Sequence, residues 1–290
     1  MRVFLWGASA LAFAFLSPGA SAQKGPKPAA AQRSPDALRA IPLPPDAIGR
    51  LKSGDAGQLA AALDDVRMSG RAGAPAVPAI TELLRRGLPL ALSQSALETL
   101  ADTESEAATE TIAWYSHHRD TSLRRAAVVA LGRTRGPAAI GALRAALSDP
   151  DVAVRGLSAT GLGGLKANVA VGDLFVALDH KVNEAARSIG QLCLGNECDR
   201  LASKIGLVTF DVATSGLEPA LLRPEEDVND EVKVKIVGRV RELGTAEANR
   251  FLTGVQSKWP PRRSPRVKQA LDQAVLATSA SPGSSSGSMQ

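Results

Sequence analysis

The feature that most constrains this chain is a step of 31 residues. The segment DTSLRRAAVVALG at 120–132 aligns with DVAVRGLSATGLG at 151–163. Asp120 matches Asp151, Leu123 matches Val154, Arg124 matches Arg155, and Leu131-Gly132 matches Leu162-Gly163. NEAARSIGQLCLG at 183–195 repeats the pattern at an offset of 32 through Asn183, Ala186, Arg187 and Leu194-Gly195. One step earlier, Leu100-Ala101 takes the Leu-Gly place. A second amphipathic segment follows each unit, over 76–86, 107–118, 138–148, 169–179 and roughly 199–208. Apolar residues recur there at helical spacing, as in Ile140, Leu143 and Leu147.

A helix pair this short cannot bury its apolar face alone, and stacking on its neighbours solves that problem. The expected fold is therefore all-α, an α-solenoid of antiparallel helix pairs running over residues 47–278. Register kept over four units argues against an ordinary bundle. Aromatic residues are 3% of the chain, too few for a β-sandwich or barrel and suited to helices packed with Ala, Leu and Val.

Several repeat positions have physical readings. Asp151 stands where it can cap the incoming helix, one turn from Arg155 on the same face. Gly132, Gly163 and Gly195 fall where the first helix has to stop, a place where glycine accepts the left-handed conformation cheaply. Arg124, Arg155, Arg187, Lys233 and Lys268 share one column, read either as a basic ladder or as ion pairs with the Asp column.

Asp-x-x-Val-Arg followed by Leu-Gly, as in Asp151, Val154, Arg155, Leu162 and Gly163, resembles the short HEAT-like repeat also found in phycobilin lyase subunits. The resemblance is good over 120–195 and degenerate over 51–119. It resumes with VKVKIVGRVRELG at 232–244 and a second helix near 246–256, and SPRVKQALDQAVL at 264–276 looks like a capping helix. Between the two pieces the Leu-Gly step lengthens, and 209–229 is expected as a surface loop inserted into the array.

The ends differ in kind. Residues 1–22 read as an export leader: Arg2, an apolar run from Val3 to Leu16, a break at Ser17-Pro18 and Ala20-Ser21-Ala22 before Gln23. The run is shorter than the roughly 20 residues that span a bilayer. Residues 23–46 form a Pro- and Ala-rich linker and 279–290 a Ser/Gly-rich tail, expected to be disordered. The expected location is the periplasm or the exterior. In such an oxidising compartment Cys193 and Cys198, the chain's two cysteines, are a candidate disulfide.

No catalytic template is recognisable. G-x-S-x-G, H-E-x-x-H and the P-loop are absent, and no cofactor or metal set is expected. His117 and His118 are adjacent, so they diverge on a helix. Two groups are candidates for partner contact. Trp114 and Tyr115 sit on a second helix as possible anchors. Lys258, Arg262, Arg263, Arg266 and Lys268 surround Trp259-Pro260-Pro261 and form the densest positive stretch of a chain with net charge +5. Nucleic acid is disfavoured, because no aromatics interleave with these cations for base stacking. The expectation is a non-enzymatic, exported scaffold that takes a protein partner in the groove of the second helices. The alternatives are a chromophore-handling protein, as the lyase resemblance implies, and a basic module binding an acidic envelope component.

Overall fold

Why do these segments become helices, and where does each stop? The computed structural model describes residues 41–279, and the leader, most of the linker and the tail beyond Ser279 lie outside that span. Among the described residues the elements are α1 (Ala47–Leu51), α2 (Ala56–Ser69), α3 (Val77–Arg86), α4 (Leu90–Asp102), α5 (Glu106–Tyr115), α6 (Thr121–Leu131), α7 (Pro137–Ala146) and α8 (Val152–Gly164). They continue with α9 (Val171–Asp179), α10 (Glu184–Leu192), α11 (Gly195–Ala202), α12 (Phe210–Leu221), α13 (Asp230–Glu242), α14 (Ala246–Lys258) and α15 (Pro265–Ser279).

The helix starts follow side-chain chemistry. Asp120 accepts from the Ser122 amide, Asp151 from Val154, Asn229 from Val232 and Thr245 from Ala248. Each satisfies one of the four amides that a helix N-terminus leaves without a partner.

Packing repeats as the sequence does. The even-numbered helices α2, α4, α6, α8, α10 and α12 lie directly against one another in order. The odd-numbered helices pack beside them, so each unit covers the apolar face of the next. One apolar core runs from Leu51 to Ala274. Hydrogen bonds between units span about one repeat: Tyr115 Oη donates to Leu84 O at 2.7 Å, and Ser188 Oγ to Ala159 O at 2.8 Å. This is an all-α solenoid.

Three sequence expectations are corrected. The segment 209–229 is not a long loop, because Phe210–Leu221 is helix α12. Ala213, Leu217, Ala220 and Leu221 are buried in it, and it packs closely on α10. Within α12, Gly216 is needed at the α10 crossing and Pro219 lies in the last turn. The second helix expected near 199–208 is α11, which starts at Gly195 and ends at Ala202.

The glycine column has a different reason from the expected one. Gly132 is right-handed (φ −62°), and Gly163 lies inside α8. A Cβ on Gly132 would stand 3.2 Å from Gly161 Cα, and one on Gly163 would stand 2.5 Å from Ser188 Oγ. These glycines let stacked helices approach. Of these three only Gly195 has positive φ, +30°, and it opens α11 rather than closing α10, whereas Gly244 of the resumed unit at 232–244 is left-handed (φ +61°) just past the end of α13, as expected of a helix stop.

Candidate groove on the odd-numbered helices

A residue that repeats every 31 positions lands on the same face of each unit. Leu84, Tyr115, Ala146 and Ala177 occupy one such position on α3, α5, α7 and α9, and all four are buried. The residues immediately before them are Leu83, Trp114, Ala145 and Val176. Leu83 is half-buried, whereas the other three are exposed, Trp114 by 68% and Val176 by 57%. Two clefts open beside this row. One, of about 910 Å³, lies between α3 and α5 and includes Thr81, Arg85, Leu90, Glu110, Trp114 and His118. The other, of about 520 Å³, lies between α7 and α9 and includes Arg144, Asp173, Val176 and His180.

Trp114 and Tyr115 are neighbours with opposite fates. The Tyr115 ring is buried, and its hydroxyl donates to the last turn of α3. Burial pushes its ionisation above the usual tyrosine value. It stacks on His118, with ring centres 5.6 Å apart, and meets the Trp114 ring edge-on at 5.0 Å. Trp114 is thus held from beneath while its indole faces outward. Neither its indole N–H nor the Arg85 and Arg119 guanidiniums beside it has a hydrogen-bond or ion-pair partner among the described residues.

The basic column turns inward. Arg124 donates to both carboxylate oxygens of Asp149 (2.8 and 3.0 Å) and to the carbonyls of His118 and Arg119. Arg155 donates to the carbonyls of Asp149 and Pro150, and Lys233 to that of Arg223. These cations therefore hold the carbonyls of the turns that lead into their own helices. Asp151 pairs with Arg125 across units, not with Arg155 on its own helix. The Arg125 hydrogen bond, with the Val154 amide, holds the Asp151 carboxyl at about 2. Arg187 is exposed and has no partner among the described residues.

The positive stretch after α14 is also largely engaged. Lys258 pairs with Glu218, Lys268 with Asp272, and Arg263 donates to the carbonyls of Leu222 and Arg223. Lys233 is buried over the Trp259 ring, and desolvation, then Arg263, lowers its ionisation. Arg262 and Arg266 are exposed without a partner among the described residues. Cys193 and Cys198 are joined (Cα–Cα 5.3 Å) and fully buried, tying the end of α10 to the first turn of α11. No group of three or more His, Cys, Asp or Glu side chains among the described residues could hold a metal ion, and no described helix is long and apolar enough to cross a membrane.

A profile of HEAT repeats matches residues 77–162 and, one unit further on, 109–195. Residues 77–195 are HEAT repeats. The two clefts and the exposed row therefore lie within the HEAT units. No curated protein matches the chain significantly. Among solved structures, the complex of CpcE and CpcF of phycocyanin lyase from Nostoc sp. PCC7120 is similar at TM-score 0.44 and 18% identity, over 89% of this chain and 99% of that chain. A designed armadillo repeat protein in complex with the peptide (KR)4 is similar at TM-score 0.39 and 14% identity, over 81% and 98%. Human deoxyhypusine hydroxylase in complex with glycerol is similar at TM-score 0.37 and 16% identity, over 81% and 95%. These are likenesses of repeated helical build, and nothing about ligands follows from them.

Sequence reasoning identified Trp114 but missed Ala145 and Val176. The signal was present: adding the repeat step to Trp114 leads to both. What it could not reveal was which of two adjacent aromatics faces out.

Proposed function

We propose that this chain is a non-enzymatic HEAT-repeat scaffold that holds a segment of a protein partner along its odd-numbered helices. The observation that carries the proposal is Trp114, a large aromatic side chain 68% exposed at the mouth of the larger cleft. Exposed aromatics in clefts are the side chains that dominate protein interfaces. The basic stretch supports a binding role less well, since Lys258, Arg263 and Lys268 are already engaged within the fold.

We further propose that the chain works outside the cytoplasm after cleavage before Gln23. The leader-like composition of residues 1–22 and the paired cysteines support that reading. An intact mass beginning at Gln23 in the periplasmic or secreted fraction is the expected result, and an uncleaved chain in the cytosol would refute it.

The groove itself is tested by placing benzoylphenylalanine at Ala145 and, separately, at Met68, which is exposed on α2. Illumination in the native host should give a protein adduct from Ala145 that disappears when Trp114 is changed to Ala. The same adduct from Met68, or one indifferent to Trp114→Ala, would refute partner binding in the groove.

A further inference from the structure

Because the units repeat, each polar contact has a counterpart one step along the chain. In the unit that begins with α6, Arg124 Nη1 holds the carbonyls of His118 and Arg119, while Nε and Nη2 grip the Asp149 carboxylate at 2.8 and 3.0 Å. In the next unit Arg155 Nη1 holds the carbonyls of Asp149 and Pro150, so donor and acceptors have all moved by one repeat step. The same step from Asp149 leads to His180. No carboxylate stands there, and Arg155 Nε and Nη2 have no partner among the described residues.

The turn at that place no longer needs an acid for its own backbone. Asp149 also accepts from the Asp151 amide. After α9, by contrast, Lys181 is left-handed (φ +68°) and the Val182 amide donates to Ala177 O. Arg155 is half-buried and His180 exposed, and both line the cleft of about 520 Å³ between α7 and α9. The two acids of that cleft are already engaged, Asp149 by Arg124 and Asp173 by Arg144 at 2.6 Å. Arg155 therefore has one end anchored on carbonyls and the other open to the cleft. A guanidinium held in this way presents two parallel N–H donors, the arrangement that takes a carboxylate bidentately.

We propose that Arg155, with the His180 imidazole beside it, forms a carboxylate-binding site in which an acid from outside the chain takes the place that Asp149 fills one unit earlier. The acid is either an Asp or Glu side chain of a bound segment or a free organic acid. The site involves neither Trp114 nor Ala145, so it does not rest on the partner-binding reading above.

The test titrates the purified, isotope-labelled chain at about 0.15 M salt, where exposed charges are screened beyond about 8 Å. The probes are acetate and an end-blocked Gly-Asp-Gly peptide, with acetamide and the matching Asn peptide as neutral counterparts. By nuclear magnetic resonance the Arg155 Nε–H and His180 ring signals should move together in the millimolar range with the acids and stay still with the amides. A lower midpoint for the Asp peptide than for acetate supports the site with a protein segment as its source, and a midpoint no lower supports it with a free acid. Arg155→Lys keeps a cation for the two carbonyls but loses the fork, and should weaken acetate at least about tenfold as read at His180. His180→Asp should fill the place from within: the Arg155 Nε–H signal should take its acid-bound position without ligand and stop responding, while the melting temperature stays level or rises. No response to either acid, an equal response to acid and amide, or a His180→Asp or Arg155→Lys chain that binds acetate like the parent would overturn the proposal. The Ala145 adduct is indifferent to all of these outcomes, so either reading can fail without the other.

Discussion

The crossing of α10 and α12 offers the sharpest test of how the helical stack continues into the last third of the chain. A Cβ on Gly216 would stand 2.8 Å from the carbonyl carbon of Ala186 and 2.9 Å from Leu201 Cδ2, and closer still to Ala186 O. One on Gly190 would stand 2.7 Å from the carbonyl carbon of Gly216. Leu201 Cδ2 belongs to a side chain that can shift, but the contacts between α10 and α12 at Ala186 and Gly216 are backbone and cannot swing away. Relief requires the two helices to part by about 1 Å, given that carbon contacts are optimal near 3.5–4.0 Å. Ala186, Ile189, Ala213, Leu217 and Ala220 are buried in these two helices. If each makes about ten cross-helix contacts of about 0.15 kcal/mol, losing a third of each well costs about 2.5 kcal/mol. Alanine's better helix propensity returns about 1 kcal/mol. Gly216→Ala should therefore destabilise by about 1.5 kcal/mol, within the range of overpacked cores. Gly238→Ala, where a Cβ meets nothing within 4 Å, should stabilise by up to about 1 kcal/mol. Urea unfolding followed by circular dichroism measures both, and amide exchange shows whether α10 and α12 open first. A Gly216→Ala chain as stable as the parent would refute the close-crossing account.

Other outcomes follow from single groups. Tyr115 is the chain's one tyrosine, so ultraviolet titration reports it alone, and its midpoint should lie above 10.0. Tyr115→Phe removes the bond to Leu84 O and should cost about 1 kcal/mol in thermal or urea unfolding. The Asp151 carboxyl is lowered from 3.8 to about 2 in the folded chain, so its contribution is complete above the unfolded value and fades as pH falls toward 2. The parent should lose stability relative to Asp151→Asn across that window, and parallel pH profiles would show that the Arg125 pairing contributes nothing. Replacing both Cys193 and Cys198 by Ala opens a short loop and should cost about 2 kcal/mol by the chain-entropy relation, read as a lower urea midpoint.

Sequence and structure divide the explanation along a physical line. The 31-residue step, the Asp cap at 151 and the helical spacing of Leu and Ala are local properties, because a helix forms from contacts three or four residues apart. They were sufficient for an all-α stack of paired helices, and they placed Trp114 on a second helix. Other features depend on side chains brought together from about 30 residues away. Only the stack shows that Tyr115 turns in while Trp114 turns out, or that Arg155 holds the carbonyls of the turn before its own helix. The glycines make the point most clearly. Gly132 and Gly163 read locally as helix stops, yet the neighbouring helix in space, not the local chain, requires them to lack a side chain, and Gly216 carried no local signal at all.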